Sequence, residues 1–79
     1  MTTFIKNLKL FRKINGLTQT DFGNKIYIKR CTVGAYEEGR AEPSIKNFLE
    51  ICKLYNINPD DFYNHEFTLE TVDDIIIKY

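Results

Sequence analysis

The sequence predicts an all-α fold, a compact five-helix domain with a short C-terminal extension. Three observations carry that prediction. Apolar residues recur at helical spacing in short runs. Most runs open on a capping residue and close on glycine or asparagine. The 79 residues allow one domain and not two, and 43% hydrophobic content suffices for one core. The expected division is a domain over residues 1–64 and a tail over 65–79.

The first helix is expected over residues 3–15. Ile5, Leu8 and Phe11 share a face, Gly16 stops the helix, and Leu17 joins the core from the connection. The second begins at Thr18, which can cap the amide of Asp21, while Asp21 places negative charge at the positive end of the helix dipole. Phe22, Gly23 and Ile26 form its inner face.

The third helix is expected over 29–38, stopping at Gly39, with Val33 and Tyr36 inward and Ile28 leading in. Tyr27 and Ile28 are too short a link for an antiparallel hairpin. The two helices must cross steeply, as in a helix-turn-helix over residues 18–38.

Residues 40–43 form a loop, because the residue before Pro43 resists helical geometry. Ser44 caps a fourth helix with Ile45, Phe48, Leu49, Cys52 and Leu54 or Tyr55 inward, ended by Asn56 and Ile57. Asn58-Pro59-Asp60-Asp61 opens a fifth, with a cap, a proline at the first position and acids in the first turn; Phe62 and Tyr63 are its apolar residues. In the tail, Leu69, Val72, Ile75 and Ile76 make a helical stripe behind a Thr68 cap, although residues 75–79 are also β-prone. The helix is favoured.

The net charge is zero, but its distribution is uneven. Residues 1–46 hold nine lysines and arginines against four carboxylates, and residues 47–79 hold two against seven. A basic half suits a protein that presents one face to a polyanion. No apolar run is long enough to span a bilayer, and the N-terminus lacks the apolar core of a signal peptide, so a cytoplasmic protein is expected. Cys31 and Cys52 form no CxxC and His65 is the one histidine, so neither a metal site nor a disulfide is expected. No nucleophile–base pair, carboxylate pair or phosphate loop stands out, and no enzyme activity or cofactor is expected.

Taken in order, Leu8, Phe11 and Arg12, then Gly16-Leu17-Thr18-Gln19, then Ile26, Ile28, Val33, Tyr36, Glu37 and Gly39, then Pro43-Ser44, Leu49, Leu54, Ile57 and Phe62 form a spaced set. The stretch from Leu8 to Phe62 resembles the lambda-repressor-like family, the Xre-type helix-turn-helix domain. No single element is specific; the ordered set is. The resemblance implies a double-stranded DNA ligand. It also implies that Arg12 pairs with Glu37 as scaffold, and that Gln19 stands against a phosphate and the recognition helix.

On the third helix, the positions opposite Val33 and Tyr36 are Arg30, Cys31, Gly34 and Ala35, with Lys29 and Thr32 flanking. Arg30 is the leading base reader, since arginine can take guanine O6 and N7 together; a phosphate contact is its alternative. Cys31, Thr32 and Ala35 offer small contacts, and Gly34 offers close approach. Expected phosphate contacts are Thr18, Gln19, Lys29, Arg40, Lys46 and Asn47.

Two residues depart from the family pattern. Tyr27 stands where the family has glycine, leaving either a strained left-handed residue or another turn geometry. Gly23 replaces a small alanine, keeping close packing. The tail stripe, with Leu10 and Ile14 as a further apolar pair on the first helix, is expected to make a homodimer for paired half-sites. The leading function is a transcriptional regulator of repressor type. The other reading is an antitoxin-like protein that also neutralises a partner protein, with the acidic, apolar tail as the partner-binding part.

Overall fold

Among the described residues, helices form where the capping pattern places them: α1 (Thr2–Ile14), α2 (Gln19–Ile26), α3 (Arg30–Glu37), α4 (Ile45–Tyr55) and α5 (Pro59–Asn64). The computed structural model describes residues 2–71, ending in helical backbone at 69–71. Leu69 is exposed, and Thr68 accepts from the Thr71 amide at 3.4 Å. The expected contacts of Val72, Ile75 and Ile76 lie outside the described residues. Among the described residues no helix is long and apolar enough to cross a membrane.

Local chemistry explains each boundary. The Asp21 amide donates to Thr18 Oγ1 at 3.0 Å and the Thr18 amide donates back to Asp21 Oδ2 at 3.1 Å, a reciprocal capping box. Those bonds from Thr18 hold the Asp21 carboxyl below its usual range. Ser44 Oγ accepts from the Asn47 amide, and Asn58 Oδ1 accepts from the amides of Asp60 and Asp61. Asn56 ends α4 in the left-handed region at φ 52°.

Tyr27 keeps the left-handed turn at φ 61° and ψ 43°, which resolves the two geometries in favour of the strained one. Its side chain is 94% exposed, so no packing of its own offsets the strain. The turn is held instead through Gly23. The carbonyl of Gly23 accepts from both the Tyr27 and Ile28 amides. A Cβ at Gly23 would stand 2.5 Å from the Ile28 oxygen, so a side chain there would push α2 off the turn.

The core gathers Phe4, Leu8 and Phe11 of α1, Phe22 and Ile26 of α2, Val33 and Tyr36 of α3, Ile51 and Cys52 of α4, with Ile57 and Phe62. Phe62 is its hub, with ring centroids 5.6 Å from Phe4, 5.5 Å from Phe11 and 6.3 Å from Tyr55. Burial pushes the Cys52 thiol up to about 11. Both cysteines are free, Cys31 at the surface.

Four sequence expectations change. Ile45 is 81% exposed and Leu49 is also exposed. The face of α4 that turns inward carries Phe48, Ile51, Cys52 and Tyr55. Leu49 is rotated from Phe48 by about 100° of helix, onto the flank. Ile45 lies in the first turn, lining a shallow groove of about 340 Å³ with Glu42, Pro43, Phe48 and Tyr63. Of the two apolar residues of α5, Phe62 is buried and Tyr63 exposed. Leu10 and Ile14 pack half-buried against the core, so the core takes up part of that face. On α1, Phe4 and Asn7 are fully buried where Ile5 is only half-buried.

Asn7 fills all its hydrogen-bonding needs across the fold. Its Nδ2 donates to the carbonyls of Phe62 and His65, each at 2.8 Å, and its Oδ1 accepts from the Phe67 amide at 3.0 Å. Phe67 meets Phe11 edge-on at 5.4 Å. A buried amide is tolerated because none of its polar atoms is orphaned.

Candidate nucleic-acid interface

α3 is fixed from behind. Arg12 Nε donates to Glu37 Oε2 at 2.6 Å, and Nη2 donates to Glu37 Oε1 at 2.9 Å. The third guanidinium nitrogen donates to the Leu17 carbonyl at 2.9 Å. The two side chains are only 12% and 3% exposed. Hydrogen bonding to Glu37 raises Arg12 further above its already high pKa, against the effect of burial. Gln19 Nε2 adds a bond to Glu37 Oε1 at 3.2 Å. Thus α1, the α1–α2 connection, α2 and α3 meet in one planar, charge-assisted cluster. Asn47 Nδ2 donates to Tyr36 Oη at 3.1 Å, tying α4 to the same helix.

The outward face of α3 differs. Arg30 and Cys31 are exposed, and Thr32 and Ala35 are half-buried. Arg30 makes no hydrogen bond among the described residues. Lys29 stands at the helix start with extended backbone and no side-chain cap bond, so the first amides of α3 have no side chain over them.

Gly34 does not belong with the readers. It is buried, because the Gln19 amide and the Glu38 carboxylate lie over it; a Cβ there would meet Glu38 Oε2 at 3.5 Å and Gln19 Oε1 at 3.7 Å. Those are ordinary contact distances, so alanine would fit.

The expected phosphate contacts divide into three groups. Lys29 and Lys46 are exposed lysines flanking α3. Thr18, Gln19 and Asn47 already carry structural bonds, to Asp21, Glu37 and Tyr36. Arg40 is bound to an anion of its own chain: its Nε and Nη2 donate to the two carboxylate oxygens of Glu38 at 3.3 and 3.2 Å. Sequence reasoning did not single out Glu38. The pair closes across Gly39, whose φ of 75° reverses the chain, and glycine followed by arginine was the available signal. Among the described residues no three His, Cys, Asp or Glu side chains gather where they could hold a metal ion.

Comparison with known proteins agrees with this architecture. A family model described as helix-turn-helix matches residues 8–62. An uncharacterized HTH-type transcriptional regulator of Methanocaldococcus jannaschii is 34% identical over 59 residues, covering 75% of this chain and 89% of the relative. Antitoxin PezA of Streptococcus pneumoniae is 32% identical over 69 residues, covering 87% of this chain and 44% of the relative. The HTH-type regulator YqaE of Bacillus subtilis is 37% identical over 57 residues, 72% of this chain and 49% of the relative. The chain thus spans under half the length of the last two. No solved structure gives a significant match. With the matched region running from α1 through α5 and the helix pair α2–α3 at its centre, the chain belongs to the lambda-repressor-like helix-turn-helix family of DNA-binding proteins.

Proposed function

We propose that the protein regulates transcription as a sequence-specific repressor, with the N-terminal end of α3 in the major groove of double-stranded DNA. The observation that carries this is the contrast between the two faces of α3. Its back is locked by Glu37, Tyr36 and Val33. Its front offers exposed Arg30 and Cys31 beside half-buried Thr32 and Ala35. A rigid helix with an unengaged guanidinium suits bidentate readout of guanine, worth about 1–3 kcal/mol of discrimination. Lys29, Lys46 and Arg40, with Thr18, Gln19 and Asn47, supply phosphate contacts that set register.

The DNA-binding unit is residues 1–64 and the extension is 65–79, whose first residues lie against α1 through Asn7. The extension supplies homodimer contacts, starting with exposed Leu69 and continuing through Val72, Ile75 and Ile76. Such a dimer would engage half-sites about one helical turn apart. We place the protein in the cytoplasm. The family relationship supports a binding protein rather than an enzyme.

The test is selection of bound duplexes from a random pool, followed by titration of wild type and Arg30→Ala at stated salt. We expect Arg30→Ala to fold normally and to lose preference at one base pair. An unchanged sequence preference would sink the assignment of Arg30.

Similarity to antitoxin PezA over 87% of this chain favours one second reading, in which the protein also neutralises a partner protein. Purified chain that is a stable DNA-binding dimer by itself supports the first reading. A chain that orders its tail only with a partner present supports the second.

A further inference from the structure

We infer that Glu38 is an affinity-setting residue, a built-in anion that occupies Arg40 and weakens the phosphate contact this arginine would make with DNA. The inference rests on the DNA-binding reading above and deepens it.

Both oxygens of Glu38 accept from Arg40 in a fork-to-fork arrangement. The pair stands on the reading side of the domain. Glu38 Oε2 lies over Gly34, one turn from Arg30 on the same stripe of α3. The bonds from Arg40, with the charges of Lys9 and Arg30 nearby, hold the Glu38 carboxyl below its usual range, so it is an anion at neutral pH. Both partners are more than 60% exposed. An exposed pair of this kind is weak enough to exchange one partner. A phosphate arriving beside Arg40 must therefore displace a carboxylate, and that carboxylate then repels the backbone. This penalty applies to every sequence alike. Base contacts through Arg30 add to the matching site without altering this term, so the penalty lowers specific and non-specific affinity by the same factor.

The experiment compares full-length wild type, Glu38→Gln, Glu38→Gln/Arg40→Gln and, as a charge control elsewhere, Glu50→Gln. Each is titrated against a selected duplex and a scrambled duplex across a salt series. Glu38→Gln is expected to bind the selected and the scrambled duplex each several-fold more tightly, with the ratio between them unchanged. Its salt dependence should steepen by one phosphate contact, so that about 3.5-fold more affinity is lost between about 50 and 200 mM salt. Arg40→Gln in the same chain should cancel that gain. Three results overturn the inference: no difference between Glu38→Gln and wild type, an equal gain from Glu50→Gln, or loss of preference at one base pair with no gain on the scrambled duplex, which would make Glu38 a base reader. If neither wild type nor Glu38→Gln binds any duplex at low salt, the DNA-binding reading itself has failed and takes the inference with it.

Discussion

Glu37 and Glu38 are neighbours with the same side chain, and each holds an arginine by two hydrogen bonds. About 100° of helix rotation separates them and gives them different roles. Glu37 points into the fold and meets Arg12 and Gln19 almost out of solvent. Its charge is costly to bury, and the geometry repays that cost only while every partner remains. Glu38 points to water, where its pair with Arg40 is screened and can be exchanged. Depth, more than chemistry, decides whether an ion pair is scaffold or a reagent for binding. The cysteines repeat the lesson, with Cys31 exposed and Cys52 buried and its thiol pushed up to about 11.

The largest effect should come from breaking the inner pair. Glu37→Ala leaves Arg12 half-enclosed without a counter-charge, and we expect a loss of about 3–5 kcal/mol, read from the urea midpoint. A loss below about 1 kcal/mol would mean that the inner pair behaves like a surface pair.

An intermediate effect, of opposite sign, should come from Tyr27→Gly. Tyr27 is as exposed as any outer residue, yet the packing behind it dictates its backbone. Relief of the left-handed strain, about 1–2 kcal/mol, is partly offset by the greater unfolded-state freedom of glycine, about 0.5–1 kcal/mol. The expected result is a gain of about 0.5–1 kcal/mol, and a clear loss would show that the turn is not strained.

Glu38→Ala should change stability least, leaving the thermal or urea midpoint close to that of wild type. A larger loss would put Glu38 in the scaffold and erase the contrast with Glu37.

Local rules made much of this legible from sequence. The helix caps at Thr18, Ser44 and Asn58 involve residues two or three apart, so type and spacing reveal them directly. Arg12 and Glu37 are 25 residues apart and were readable only through family resemblance. What escaped depended on which elements meet. Periodicity alone admitted Ile45 and Leu49 as inner residues of α4, whereas the surroundings chose Ile51 and Cys52. Helical position put Gly34 on the outer face, but a neighbouring side chain, Gln19, covers it. Asn7 carries no local signal of its role, because its partners lie near the other end of the domain.

Asn7 has a consequence for how the chain assembles. The Phe67 amide that it accepts lies 60 residues away, so this bond closes a loop spanning most of the 79-residue chain. Closing so long a loop carries an entropic penalty that short-range helix contacts do not. The helix-turn-helix can gather from local contacts first, with α1 and the segment after α5 latching together late. The latch makes the two ends of the described fold one cooperative unit. Amides of residues 65–67, though outside any helix, should open to exchange together with α1 rather than fray as a loose end.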